Sequence, residues 1–302
     1  MKIVLAGSNG LIGRQLASNL SNLGHSVVRV RHSAEASGNP SNLTWNPESS
    51  KLDLSQIGQV DAVINLAGEP VGSGRWTSET KRKIQDSRIN GNRAIVKEIR
   101  KMEIPPRVFI NGSAIGFYGN RGSELLDEKS STGEGFLAEV CQKNEAAAND
   151  ADSTETRVIN LRTGVVLSTK GGALARQLPI FKLGLGGKLA SGDQYLSWIH
   201  LRDEVEAIIF LLNSEIAGPV NLTSPSPCTN AEFTKALGKA TKRPTLLSVP
   251  KIALSLALGA GVTDEMITAG QRVRPEVLLS SGFKFAFPDI SGALESLVRE
   301  GD

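Results

Sequence analysis

Apolar and polar positions alternate in blocks over the first two-thirds of the chain. The apolar runs "KIVLAG", "SVVRVR", "DAVINLAG" (61–68), "RVFINGS" (107–113) and "TRVINLRTG" (156–164) are short and nearly continuous. Between most of them, apolar residues recur three and four apart, which predicts helices over about 11–23, 78–102 and 136–149. The run "SVVRVR" is followed instead by a predicted loop. Strands apolar on both faces and separated by helices predict an α/β fold built on a parallel, doubly wound sheet.

The texture changes after Gly171. "LGLGGKLASGD" (183–193) is rich in glycine, "YLSWIH" reads as a short strand, and "DEVEAIIFLL" reads as a helix. Asp203 with Glu206 three residues on fits a helix cap and its partner. From about 245 to 300 the pattern is short helices broken by Pro250, Gly259, Gly261, Pro275 and Pro288. The expected division is a main domain over 1–215, with 171–200 contributing to a substrate lobe, and a small helical domain over 245–300.

The first strand runs directly into Gly7-Ser8-Asn9-Gly10-Leu11-Ile12-Gly13, and a helix follows at once. In this context the first glycine permits a tight turn. The second lets a phosphate approach the backbone, and the third lets helix and strand pack closely. The helix N-terminus then offers free N–H groups and a partial positive charge to a pyrophosphate. The alternative is a plain strand–loop–helix with glycines for turn geometry; the order of elements favours a Rossmann-type dinucleotide site. An acid at the end of the second strand would mark NAD. Here Arg31, His32 and Ser33 stand there, with no acid before Glu35. A guanidinium suits the 2′-phosphate of NADP in bidentate geometry, so NADP is the expected cofactor unless Arg31 is simply solvated.

Composition narrows the partners. The 302 residues are 40% hydrophobic and 22% charged, ordinary for a soluble globular protein. A net charge of +3 from 34 basic and 31 acidic residues gives no nucleic-acid signature. The densest basic cluster, Lys81-Arg82-Lys83 with Arg88 and Arg93, reads as a solvated helix face. Two cysteines, Cys141 and Cys228, cannot hold a zinc ion alone, so no metal is expected and both read as reduced thiols. "IALSLALGAGV" is about half of the roughly 20 residues that a membrane helix needs. Strand-like residues begin at Lys2, which leaves no room for a signal peptide. A cytoplasmic protein with no membrane partner is expected.

The glycine loop, "NLAGE", "NGSAIGFYG", "RTGVVLS" with "GGAL", "LGLGG" with "SWIH", and "TNAEF" occur in that order, ahead of "VPKIALSLALG" and "FPDISGAL". Together they resemble the extended short-chain dehydrogenase/reductase superfamily. The nearer resemblance is to its atypical epimerase family branch, which ends in a small helical domain of unknown function. This resemblance implies cofactor contacts from Gly7, Ser8, Asn9, Gly10, Leu11, Ile12 and Gly13, and from Arg31 and His32. It implies further contacts from Leu66, Ala67 and Gly68 beneath the adenosine ribose, from Lys83 and Arg88, and from the stretch between Thr163 and Val166. The branch often carries an arginine where this chain has His32.

The chain also departs from the superfamily's pattern. The superfamily's chemistry uses a tyrosine and, four residues later, a lysine on one helix, so that the phenol can exchange a proton near neutral pH. In "GFLAEVCQKNEAAA", alignment on Glu145 puts Leu137 and Cys141 in those places, and a shift by one gives Phe136 and Val140. Lys143 lies two residues past the lysine place, roughly 200° around the helix. Ser113 remains as a catalytic candidate, and Tyr118 is either a proton donor or a wall of the nicotinamide pocket. His25 lies in a turn, and His200 reads as a hydrogen-bonded core histidine. Leu196 stands where members that handle nucleotide sugars carry an arginine. The expected function is an NADP(H)-binding oxidoreductase or epimerase-like protein acting by hydride transfer on a small molecule of unidentified class. The alternative is an NADPH-binding sensor or regulator that has lost catalysis. A homodimer is compatible with either.

Overall fold

The computed structural model of the chain describes residues 1–32, 42–45, 52–72, 74–153 and 155–300. Among them, seven strands form one sheet: β1 (Lys2–Ala6), β2 (Ser26–His32), β3 (Asn42–Trp45), β4 (Ala62–Asn65), β5 (Val108–Ala114), β6 (Arg157–Thr163) and β7 (Gly218–Leu222). Their spatial order is β7-β6-β5-β4-β1-β2-β3, and every neighbouring pair is parallel. The order reverses between β1 and β4, the switch point outside which open α/β sheets bind ligands.

Successive side chains of a strand point to opposite faces, and both faces are buried here. Ile3 and Leu5 of β1 join one core with Leu16 and Leu20 of α1 (Leu11–Asn22), while Val4 and Ala6 join the opposite core. The second core is covered by α2 (Ser78–Ile99) and α3 (Phe136–Asn149), through residues such as Ile95 and Ala148. Past the sheet, α4 (Gly172–Lys182) and α6 (Asn230–Thr241) enclose a third core around Phe181, Trp198 and Phe233, and α5 (Leu201–Leu212) packs beside α1.

Three expectations are corrected. The chain past β2 re-enters the sheet as the edge strand β3, and β7 closes the other edge. "YLSWIH" is two strands, not one: Tyr195–Leu196 runs antiparallel to Cys228–Thr229, while Trp198–His200 runs parallel to Val165–Leu167. Ser197 stands between them, donating to the Gln271 carbonyl (2.6 Å) and accepting from the Val273 amide (2.8 Å). Helix α5 starts at Leu201 with His200 as its cap, Nδ1 accepting from the Arg202 amide (3.0 Å). Asp203 is instead buried in the first turn, where it accepts from the Ala286 and Phe287 amides (2.8 and 2.9 Å).

Candidate cofactor and catalytic site

Gly7 leaves β1 with φ +81°, and a Cβ there would lie 2.6 Å from the Leu66 carbonyl carbon. Only a glycine accepts both the left-handed turn and that approach. A Cβ on Gly13, in the first turn of α1, would lie 2.2 Å from the Gly7 carbonyl oxygen, so helix and loop sit in contact. The Gly10 amide donates to the Gly7 carbonyl (3.0 Å) and closes the turn. Gly10 caps α1 with no side chain, and no acid occupies the first turn. The N-terminus of α1 therefore keeps its amides and its partial positive charge available to an anion. Ser8 is buried, and its Oγ has no hydrogen-bond partner among the described residues. An orphaned buried hydroxyl in such a cradle fits a ligand oxygen. Asn9 is exposed, and its carbonyl accepts from Arg14 (3.0 Å). Leu11 and Ile12 turn into the core, Leu11 against Gly171 and Gly172.

Arg31 and His32 close β2 opposite Thr44 and Trp45; their side chains lie outside the described residues. Leu66, Ala67 and Gly68 follow β4. The Ala67 amide donates to Asn65 Oδ1 (3.1 Å), and Asn65 in turn donates to Asn92 of α2 (2.7 Å). Asn92 donates to Asn111 (2.9 Å) and to Asn144 of α3 (2.8 Å), and Asn111 donates to Asn160 (2.8 Å). This row of amides, satisfied throughout, ties the Leu66–Gly68 loop to both covering helices. Arg88 lies under the loop: its guanidinium carbon is 3.0 Å from where a Cβ on Gly68 would stand, and it donates to the Glu69 carbonyl (2.9 Å). Lys83 points outward into an exposed ion pair with Glu79 (2.8 Å).

Ser113 lies near the end of β5 and donates to Glu145 Oε1 of α3 (2.7 Å). Arg162 of β6 grips the same carboxylate at both oxygens (3.0 and 2.9 Å), and both partners are buried. Its Nη1 donates to the Tyr118 hydroxyl (3.1 Å), which donates onward to Asn221 of β7 (2.8 Å). Tyr118 has no exposed surface, and burial pushes its phenol up to about 12. Its hydroxyl is engaged by Arg162 and Asn221 inside the protein, which corrects the reading of Tyr118 as a proton donor, and with no exposed surface the ring walls no pocket in this structure. Leu137 and Cys141 of α3 face Gly116 from the places of the usual tyrosine and lysine, and burial pushes the Cys141 thiol up to about 11.

Thr163 closes β6 beside Ala114 and Leu222. It donates to Glu204 of α5 (2.9 Å), and burial pushes that carboxyl up to about 8. Glu204 escaped the sequence reading, although its spacing from Ala207, Ile208 and Leu211 places it on the apolar side of α5. Val166 pairs with Ile199 and is half-buried against the core. The C-terminal segment braces the site from outside. Glu265 accepts from the Phe136 and Leu137 amides (3.2 and 2.9 Å), capping α3, and Gln271 donates to the Ile115 and Gly119 carbonyls (3.1 Å each). His200 is buried and stacked on Phe287 (3.9 Å between ring centroids), as a core histidine should be.

The site thus offers an anion cradle, a serine hydroxyl backed by a buried ion pair, and apolar residues where an acid–base pair would stand. The profile of the NAD dependent epimerase/dehydratase family matches residues 3–222, and that of a domain of unknown function (DUF1731) matches residues 249–297. An epimerase family protein of Mycobacterium leprae is 42% identical over 293 residues, 97% of this chain and 94% of that protein. The crystal structure of human epimerase family protein SDR39U1 (isoform 2) with NADPH superposes with a TM-score of 0.91 at 30% identity, covering 99% of this chain and 100% of the other. The UDP-glucose 4-epimerase of Thermus thermophilus in complex with NAD shares the fold at a TM-score of 0.76 and 16% identity, over 99% of each chain. The chain belongs to the NAD dependent epimerase/dehydratase family, among the epimerase family proteins that resemble SDR39U1.

Proposed function

We propose that the chain binds NADP(H) and exchanges hydride with a small carbonyl or alcohol at Ser113. The observation that carries this reading is the Gly7–Gly13 cradle, with the uncapped α1 N-terminus and the partnerless Ser8 hydroxyl. NADPH in the human relative and Arg31 at the end of β2, with no acid there, support NADP over NAD.

When bound, the cofactor supplies or takes up the hydride. The loop and the α1 N-terminus hold its anionic bridge, and the Asn65 amide row keeps the Leu66–Gly68 loop against it. An alcohol that gives up hydride would pass its proton to Ser113 Oγ as Ser113 passes its own to Glu145 Oε1, and the reverse transfer would protonate a reduced carbonyl. Phe136, Leu137 and Trp76 supply an apolar flank, with the Trp76 and Phe136 rings 5.1 Å apart edge to face. Such a flank, with Leu196 in the place of a phosphate-binding arginine, suits a small substrate without a diphosphate.

A second reading has its own support: Leu137 has no titratable group, the buried Cys141 thiol donates to the Ala114 carbonyl, and the Tyr118 hydroxyl is buried. On that reading the protein is an NADPH-binding regulator. Calorimetry with NADPH and NADH, followed by NADPH oxidation on a panel of carbonyl compounds, separates the two. A guanidinium–phosphate bond predicts a ten- to hundredfold preference for NADPH, roughly the worth of a charged hydrogen bond, lost in Arg31→Ala. Equal affinities would defeat the NADP assignment. Tight NADPH binding with no turnover on a broad panel would favour the regulator.

A further inference from the structure

Charge is mixed over most of the chain, but two stretches break the mixture. Residues 171–192 contain three basic residues and residues 233–263 contain five, and neither holds an aspartate or glutamate. The fold lays the two side by side. Leu247–Val249 pairs in parallel with Gly187–Leu189, the Ala190 amide donates to the Val249 carbonyl (2.9 Å), and Arg243 Nε donates to the Lys182 carbonyl (2.9 Å). Beneath them α4 and α6 bury Leu178, Phe181, Phe233 and Leu237.

The outer side carries apolar side chains that the fold does not bury. Leu183 is 75% exposed, Leu185 58% and Leu246 91%. The helix Lys251–Leu258 follows and adds Ile252 and Leu256, 75% and 71% exposed and four residues apart on one helix side. Lys182, Lys188, Lys242 and Arg243 belong to the same segments, and none forms an ion pair among the described residues. An exposed leucine standing alone is ordinary. Lys251 and Lys239 are paired, with Asp264 (2.8 Å) and Glu295 (3.1 Å), but leucines grouped with those other four cations have the composition of a surface that rests in a lipid headgroup layer. The apolar tips enter the acyl boundary there, and the cations meet anionic phosphates.

We propose that this face docks on an anionic phospholipid surface. No helix among the described residues is long and apolar enough to cross a membrane, so the contact would be peripheral. Charge argues against a second copy of the chain, whose own cations would face these. Side-chain type argues against single-stranded nucleic acid, which favours stacking aromatics in a basic groove, whereas the exposed large apolar residues among the described residues are aliphatic or Met266.

The test is flotation of the full chain with vesicles of phosphatidylcholine alone and of phosphatidylcholine mixed with phosphatidylglycerol. The protein should float with the mixed vesicles only and be released by salt, as screening shortens the attraction. In K182Q/K242Q/R243Q each lost cation should weaken partitioning about fivefold. L183Q/L246Q should weaken it about tenfold or more through lost burial. Circular dichroism and thermal unfolding check that these surface variants fold. A wild type that floats with neither vesicle, or variants that float like the wild type, would overturn the proposal. So would a lipid-free dimer in sedimentation that L183Q/L246Q dissolves, or capture only by an acidic protein.

Discussion

The Thr163 hydroxyl donates to Glu204 Oε1 across 2.9 Å, and Glu204 has no exposed surface. Glu204 Oε2 has no partner among the described residues, and desolvation pushes the carboxyl up to about 8, with the Thr163 bond opposing it. An ordinary glutamate ionises near 4.3 in the unfolded chain, so between that pH and about 8 the folded protein holds a proton that the unfolded one lacks. Stability should therefore be greatest below that window, fall by at most about 1.4 kcal/mol per pH unit within it, and level off above it. Glu204→Gln keeps the acceptor for Thr163 and removes the titration. Its denaturation free energy at pH 8 should exceed that of the wild type, while the two converge at pH 5. Parallel profiles from pH 5 to pH 9 would show that Glu204 is not held neutral.

Tyr118→Phe tests whether the buried hydroxyl is structural alone. The change leaves Asn221 Oδ1 and Arg162 Nη1 short of a partner, which should cost about 1–3 kcal/mol of stability. NADPH affinity and any turnover should be unchanged, because the hydroxyl points into the protein. A fall in turnover of about 10²-fold with stability intact would restore Tyr118 as an acid.

What the sequence revealed and what it hid follow from the range of the interactions. The glycine loop is local, and its three positions answer to contacts within a few residues or with the adjoining strand end. The inner strands show as apolar runs because both faces are covered. The edge strands did not show. β7 reads "GPVNL", and its proline is tolerated only because an edge strand lacks a neighbour on one side. β3 is four residues long, with Trp45 buried. Asp203 looked like a cap because the local spacing fits one. Its true partners lie 83 and 84 residues away, and no local pattern could reveal them. Tyr118 was ambiguous for the same reason, since Asn221 is 103 residues distant.

The glycines of the loop should differ in tolerance. An added Cβ at Gly13 meets backbone atoms of Gly7 at 2.2 and 2.9 Å, and backbone cannot swing aside. Gly13→Ala should shift α1, lower stability by about 1–3 kcal/mol as an overpacked contact, and abolish measurable NADPH binding. At Gly10 the nearest atom is the Gly7 oxygen at 3.3 Å, so Gly10→Ala should retain the fold and lose affinity only modestly. Thermal unfolding and fluorescence titration of both variants would check the order. Equal behaviour would show that α1 does not pack on the loop as described.

Ser113 and Glu145 share a hydrogen bond of 2.7 Å, yet their removal should have opposite signatures. Glu145 is the counter-charge of buried Arg162, whose side chain is 5% exposed. Glu145→Ala strands that guanidinium and should cost about 3–5 kcal/mol of stability, the usual penalty for breaking a buried pair. Ser113 is only half-buried, and without its hydroxyl the Glu145 carboxylate keeps both bonds from Arg162. Ser113→Ala should therefore cost no more than about 1.5 kcal/mol. It should bind NADPH as the wild type does, because no bond joins Ser113 to the glycine loop. On any substrate that the wild type turns over, its kcat should fall about 10²–10⁴-fold, because the hydroxyl that relays the substrate proton to Glu145 is gone. Urea unfolding and cofactor titration fix the first two quantities, and steady-state kinetics fix the third. Undiminished kcat in Ser113→Ala would make the serine a structural partner of Glu145 and move the reacting group elsewhere.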